Sequence, residues 1–88
     1  MKVIKVSALW CGACLGVIKA WNRLKEEYDF EAVELDYDLD EEEVKSYSTG
    51  TRIPAFLFIK DGKEVGRLIG EVSYEELKDK FLEVGGTK

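Results

Sequence analysis

The chain has 88 residues, 45% of them hydrophobic, and a formal net charge of −5. A chain this short supports one hydrophobic core and not two, so we expect a single domain over residues 1–88. The acidic balance argues against nucleic-acid binding, and the lack of an apolar run of about 18 residues argues against a membrane span, so we expect a cytoplasmic protein.

The first half of the chain has the pattern of a strand, a helix and a second strand. Lys2–Ala8 and Phe30–Asp36 are short segments with the composition of strands. Between them, apolar residues recur at the spacing of one helix face, which predicts a helix over Cys11–Tyr28. The residues of this face are Cys14, Val17, Ile18, Trp21, Leu24 and Tyr28.

An acidic segment leads into a short second helix. Eleven of the 18 acidic residues lie from Glu26 to Glu43, without a lysine or arginine among them. We interpret the segment as a solvated face, with steering of a partner as the alternative. Within it, Asp40 and Glu43 have the form of a capping box, which predicts a helix near Val44 and Tyr47.

The last third of the chain has the pattern of a hairpin followed by a helix. Ala55–Lys60 is a strongly apolar strand, and Asp61-Gly62 predicts a tight turn into the strand Lys63–Ile69. A second capping box, formed by Ser73 and Glu76, then predicts a final helix. The complete order is β-α-β-α-β-β-α, an α/β fold. A mixed sheet with helices on both faces, a three-layer sandwich, is the simplest packing of these elements.

The two cysteines, Cys11 and Cys14, are the strongest functional signal. The chain has no histidine, which excludes Cys-His and Ser-His catalysis and histidine-bearing zinc sites. Two thiolates are also too few for a four-thiolate metal site within one chain. A Cys-x-x-Cys pair then supports redox chemistry, a metal shared between two chains, or an inert disulfide. We expect redox chemistry, with no metal or cofactor.

The placement of the cysteines predicts different roles for them. Cys11 stands where the first strand gives way to the helix, so free backbone N–H groups favour its thiolate. Cys14, one turn later, belongs to the buried face and is shielded. Gly12 and Ala13 keep the connecting turn small. We expect Cys11 to attack a substrate disulfide and Cys14 to resolve the mixed disulfide.

Pro54 is the only proline of the chain, and it directly precedes an apolar strand. Because proline cannot donate a hydrogen bond to a sheet, its place there indicates a special backbone geometry. A plain trans proline in a turn is the alternative.

Three motifs together resemble the thioredoxin family. They are Trp10-Cys11-Gly12-Ala13-Cys14, Arg52-Ile53-Pro54, and Phe58-Ile59-Lys60-Asp61-Gly62-Lys63 followed by Gly70. The match runs from Val3 to Val84 but lacks the family's leading strand and helix. It implies a minimal thioredoxin or glutaredoxin core, with three helices and a four-stranded sheet in the order 2-1-3-4.

The resemblance also implies a substrate-binding surface. In the family the proline is cis and packs against the cysteine pair, and the backbone of the preceding residue, here Ile53, pairs with an extended substrate peptide. Trp10, Ile53 and Gly70 would surround Cys11 as an apolar rim, and Glu71 would add a negative charge to it. A buried core position for Trp10 is the alternative.

The chain departs from the family pattern beside the cysteines. Ala13 replaces the usual proline, Lys5 stands where thioredoxins have a buried aspartate, and Glu34 best matches the family's facing lysine. We predict an inverted, partly buried ion pair beneath Cys14, in which Glu34 accepts the Cys14 proton and Lys5 favours a thiolate. The alternative is that Lys5 and Glu34 are both exposed on an uncovered face.

The residues and the family resemblance together favour a monomeric thiol-disulfide oxidoreductase that acts on disulfide-containing proteins. The resemblance implies that a thioredoxin reductase recharges it. A glutathione-dependent, glutaredoxin-like reductase is the second hypothesis, weakened because Gly70-Glu71-Val72-Ser73 differs from the glutathione-binding turn of glutaredoxins. Two hypotheses from other classes are a module that shares an iron–sulfur cluster between two chains and a non-catalytic redox sensor.

Overall fold

A computed structural model of the protein describes residues 1–8, 10–47 and 53–86. Arg52, which belongs to one of the three motifs, lies outside the described residues. The strands are β1 (Lys2–Ser7), β2 (Glu31–Asp36), β3 (Ala55–Lys60) and β4 (Lys63–Ile69). The helices are α1 (Gly12–Leu15), α2 (Ile18–Glu27), α3 (Glu41–Ser46) and α4 (Tyr74–Glu83). None of these helices has the length and apolar character needed to cross a membrane.

The four strands form one mixed sheet in the order β2-β1-β3-β4, which confirms the predicted order. β1 is parallel to β2 and antiparallel to β3, and β3 is antiparallel to β4. In this register Val6 lies opposite both Leu35 and Ala55, and Ala55 lies opposite Ile69. The carboxyl ends of β1, β2 and β4 therefore meet the amino end of β3 at one edge of the sheet. We call this edge the active edge.

Apolar side chains cover both faces of the sheet, which confirms the three-layer sandwich. α2 and α4 pack on one face and α3 on the other. The first core cluster consists of Val3, Val17, Ala20, Trp21, Leu24, Phe56, Phe58, Val72, Leu77 and Phe81. The second consists of Ile4, Val6, Leu35, Val44, Ala55 and Leu57. The strands β1 and β3 supply residues to both clusters because successive side chains of a strand point to opposite faces.

The predicted first helix, Cys11–Tyr28, is divided into two segments. α1 ends at Leu15, Gly16 and Val17 form a turn, and α2 begins at Ile18. Val17 is nevertheless fully buried in the first core cluster, so the apolar periodicity passes through the break. The fold thus has the three predicted helical regions, and the first of them consists of α1 and α2.

One of the two predicted capping boxes is present and the other is not. The Ser73 hydroxyl accepts a hydrogen bond from the Glu76 backbone N–H, and the Glu76 carboxylate accepts one from the Ser73 backbone N–H, as predicted. At the start of α3, however, the prediction was wrong, because the Asp40 side chain makes no cap bond. The Asp40 carboxylate instead accepts a hydrogen bond from the backbone N–H of Asp36, at the end of β2.

The predicted tight turn of the hairpin is confirmed. Asp61 and Gly62 have φ values of +53° and +78°, the two positive values that a type I′ turn requires. The turn holds β3 and β4 antiparallel and so returns the chain to the active edge.

Candidate active site

The two cysteines lie at the start of α1, immediately beyond the end of β1. Cys11 is the N-cap residue of α1 and Cys14 lies within the helix, as predicted. They are joined by a disulfide, with their Cα atoms 5.3 Å apart. Cys11 is 8% exposed and Cys14 is 4% exposed, so the cysteine predicted to attack is the more exposed residue of the pair. The two form a third apolar cluster with Ala8, against which Ile53 and Tyr37 pack.

Local backbone groups surround the Cys11 sulfur. The backbone N–H of Cys14 donates a hydrogen bond to Cys11 Sγ over 3.2 Å, and the Ile53 carbonyl oxygen lies 3.8 Å from the same sulfur. A hydrogen bond from an amide stabilises a thiolate more than a thiol. Because α1 contains only four residues, stabilisation of a Cys11 thiolate rests on this amide and not on the dipole of a long helix.

Ile53, Pro54 and Gly70 come together beside the cysteines. The Ile53–Pro54 peptide bond is cis, as the family resemblance implies, and Pro54 is fully buried. The Gly70 N–H donates to the Pro54 carbonyl over 2.8 Å. Gly70 has a φ of +98°, a value that favours glycine. The residues that flank β3 and β4 thus hold the Ile53 carbonyl against Cys11.

Trp10 lies on the surface at the active edge. It is 61% exposed, so the alternative of a core position is wrong. Its indole N–H donates to the Asp38 carboxylate over 2.8 Å, and its ring meets Tyr37 edge-on at 5.9 Å. The sequence analysis missed both partners. The available signal was the parallel pairing of β1 with β2, which brings the residues after β2 to the same edge as Trp10.

Glu71 reaches from the Gly70 turn to the break between α1 and α2. A Cβ built on Gly16 would lie 2.6 Å from the carboxyl carbon of Glu71 and 3.2 Å from its Cγ. The Glu71 side chain therefore rests on the bare backbone of Gly16, two residues past Cys14. Sequence reasoning placed Glu71 at the rim but missed Gly16.

Gly12 and Ala13, the two residues between the cysteines, are both exposed on α1. A Cβ built on Gly12 would meet no atom within 4 Å. Space around the turn therefore does not require a glycine there. The predicted tuning role of this pair remains a prediction.

Lys5 and Glu34 lie on the same face of the sheet and form the predicted ion pair, with Nζ and Oε1 3.2 Å apart. The Lys5 side chain is 8% exposed and that of Glu34 is 53% exposed. Lys25 approaches the other Glu34 oxygen at 3.6 Å. Both lysine ammoniums lie 5.7 Å from the centroid of the Trp21 ring, within the range of a cation–π interaction. Trp21 is a buried core residue, as expected.

The surroundings of Glu34 favour its ionised form. Partial burial acts to raise its pKa, but the hydrogen bond and charge of Lys5, together with the charge of Lys25, outweigh burial and hold the pKa below its ordinary value. The Trp21 indole N–H adds a smaller contribution, although it forms no hydrogen bond of normal geometry within the described chain. These contacts lie along α2. The position of the ion pair beneath Cys14 and the role of Glu34 as proton acceptor for Cys14 remain predictions.

Comparison with known proteins identifies similar chains. The family model described as Thioredoxin matches residues 1–83. The chain is 32% identical to thioredoxin H5 of Oryza sativa subsp. japonica over 98% of its own length and 63% of that protein. It is 34% identical to thioredoxin H2 of Arabidopsis thaliana over 89% of its own length and 58% of that protein. The chain thus spans less than two thirds of these two curated relatives.

Solved structures give the same result. The crystal structure of reduced Schistosoma mansoni thioredoxin pre-protein superposes with a TM-score of 0.86 at 31% identity, covering 94% of this chain and 77% of that one. The Fasciola hepatica thioredoxin structure superposes with a TM-score of 0.81 at 36% identity, covering 93% and 78%. Both are similar to this chain over nearly all of its length.

Proposed function

Because the chain belongs to the thioredoxin family, we propose that it is a thiol-disulfide oxidoreductase that reduces disulfide bonds of proteins. The observation that carries the proposal is the disulfide between Cys11 and Cys14 at the start of α1, beside the Ile53 carbonyl. Such a pair changes between a dithiol and a disulfide without a rearrangement of the fold, because it spans only one helical turn.

The reaction begins from the reduced pair. The Cys11 thiolate attacks one sulfur of a substrate disulfide, so that a mixed disulfide forms and the other substrate sulfur leaves as a thiolate. Cys14 then loses its proton and attacks the Cys11 sulfur, which releases the second substrate thiolate and forms the Cys11–Cys14 bond. Two electrons pass from the cysteine pair to the substrate, and solvent protons complete the substrate thiols.

The surface around Cys11 suits an extended peptide. The Ile53 backbone lies within reach of the sulfur and would pair with the substrate main chain in the manner of strand addition. Exposed Trp10 supplies apolar contact area. Gly70 has no side chain and so leaves room for a peptide. Apolar contact with backbone pairing favours protein substrates of varied sequence over a single small molecule.

In this proposal a thioredoxin reductase supplies the electrons for the next cycle. The protein is proposed to work as a monomer in the cytoplasm. Glutathione remains the alternative donor. Turnover of a protein disulfide such as that of insulin, measured with NADPH and a thioredoxin reductase and then with glutathione, separates the two donors. Turnover with neither would contradict the proposed function.

Matched cysteine variants test the order of attack. Cys14→Ser should accumulate a mixed disulfide between Cys11 and the substrate, visible by mass spectrometry, because no resolving thiol remains. Cys11→Ser should accumulate none, since the remaining Cys14 is the more buried residue of the pair. If Cys14→Ser traps no partner, the protein is better described as a redox sensor. An iron–sulfur module would instead show visible absorption after anaerobic purification.

A further inference from the structure

The active edge carries negative charge on both sides of Cys11. Asp38 follows β2 and Glu71 follows β4, and these are the two outer strands of the sheet. Three strand spacings separate the outer strands, a distance of about 14 Å. A carboxylate therefore follows each outer strand at the edge where Cys11 lies.

The position of the Glu71 side chain is defined by two neighbours, Pro54 and Gly16. The Gly70 N–H is bonded to the Pro54 carbonyl at 2.8 Å, which fixes the backbone directly before Glu71. The side chain then lies on Gly16, where any Cβ would collide with it. Its carboxyl group consequently lies over Gly16, two residues past Cys14, at the active edge.

The charge of Glu71 is also available to a substrate. Glu71 is exposed, and no lysine or arginine of the described residues forms an ion pair with it. Asp38, by comparison, accepts the indole N–H of Trp10. A carboxylate without a cationic partner beside a docking surface discriminates between charged partners.

We infer that Glu71 is a specificity-determining residue that favours disulfide substrates with a lysine or arginine beside the attacked cysteine and disfavours anionic ones. Glutathione disulfide, which carries a net negative charge at neutral pH, belongs to the disfavoured class. The inference depends on the proposed function, because it concerns the choice among substrates of that same reaction.

Simple electrostatics gives the size of the effect. For charges about 8 Å apart in a water-like dielectric, a change from lysine to glutamate in the substrate alters its interaction with one carboxylate by about 1 kcal/mol, or about fivefold in rate. Screening at about 0.15 M salt reduces this to about twofold. The effect is therefore to be measured at low ionic strength.

The experiment uses two disulfide-bonded peptides that differ only in the residue after the attacked cysteine, lysine in one and glutamate in the other. The rate constant for oxidation of the fully reduced protein is measured with each by stopped flow, and the ratio of the lysine rate to the glutamate rate is compared between variants. Glu71→Gln should lower this ratio about fivefold at low salt, and it should speed the reaction with glutathione disulfide.

Two further variants complete the design. Glu26→Gln removes the same charge from the far end of α2, about 15 Å along the helix from Gly16, and should leave the ratio unchanged. Gly16→Ala keeps the Glu71 charge but forces the carboxylate to move, so it should lower the ratio by less than Glu71→Gln does.

An unchanged ratio in Glu71→Gln, or an equal fall in Glu26→Gln, would overturn the inference. A wild-type protein that reduces neither peptide would contradict the proposed function itself, so the two failures are distinguishable. Circular dichroism of each variant establishes that the comparison is between folded proteins.

Discussion

Replacing Glu34 with glutamine tests how the sheet tolerates the buried ammonium of Lys5. The change keeps the size of the side chain and removes the negative charge that lies 3.2 Å from Nζ. Breaking a fully buried ion pair costs about 3–5 kcal/mol, whereas an exposed pair contributes about 0–1 kcal/mol. The Glu34 side chain is 53% exposed and that of Lys5 is 8% exposed, so solvent screens one partner. We expect Glu34→Gln to lower the free energy of unfolding by about 2 kcal/mol.

The opposite substitution, Lys5→Met, should have a much smaller effect. It places an apolar side chain in a buried position. The half-exposed Glu34 carboxylate remains solvated by water and keeps its ion pair with Lys25. We expect a change in the free energy of unfolding of at most about 1 kcal/mol. The double variant should be more stable than Glu34→Gln alone, because no unpaired buried charge remains in it.

Urea denaturation of the oxidised proteins measures these differences. Far-UV circular dichroism is the appropriate signal, because Trp21 contacts the pair and its fluorescence would change locally. A loss of about 2 kcal/mol corresponds to a fall in Tm of roughly 8–16 °C for a domain of this size. Glu41→Gln, which removes the exposed pair with Lys45 on α3, is the matched control and should shift the urea midpoint little. The reasoning is refuted if Lys5→Met destabilises as much as Glu34→Gln.

The pH dependence of the same comparison has a definite sign. The pKa of Glu34 is lowered from its ordinary value of 4.5, with burial opposing the larger combined effect of Lys5 and Lys25. A carboxyl group with a lowered folded pKa stabilises the protein above its unfolded pKa and loses that contribution as the pH falls through the folded value. The stability difference between wild type and Glu34→Gln should be constant above about pH 5.5 and shrink below about pH 4.5.

Two further predictions concern the ends of secondary-structure elements. Ser73→Ala removes the capping box of α4 and should lower the free energy of unfolding by about 1 kcal/mol, measured by urea denaturation. Ser46→Ala is the control, because the Ser46 hydroxyl donates to the Glu43 carbonyl within α3 and caps no N–H group there. Equal losses in the two variants would contradict this account. Gly62→Ala places a side chain at a φ of +78° and should destabilise the protein by about 1 kcal/mol. No loss of stability would show that the turn relaxes.

Much of the fold could be predicted because local chemistry and tertiary packing agree. Asp61-Gly62 accepts positive φ values whatever surrounds it, so the hairpin follows from two residues. The placement of Cys11 and Cys14 at the start of a helix likewise follows from the apolar face that begins at Cys14. The order of the strands, in contrast, came from the family resemblance and not from the pattern of residues.

The features that the sequence did not predict depend on contacts between distant segments. The helix break after Leu15 could not be predicted, because Val17 continues the apolar periodicity across it. The contact between Gly16 and Glu71 could not be predicted either, because it joins segments that are distant in sequence. The capping box at Asp40 failed because the N–H at the end of β2 competes for the same carboxylate. The bond from Trp10 to Asp38 requires knowing which strands are neighbours.

The assembly of the active edge from separate segments has a consequence for synthesis of the chain. Cys11 and Cys14 are close together in sequence, so a bond between them needs only a short loop to close. Ile53, Pro54 and Gly70 emerge much later, and the parallel neighbour of β1 must also be in place before the edge exists. The bond between the two cysteines can therefore form before Ile53, which packs against them in the folded chain, has been synthesised.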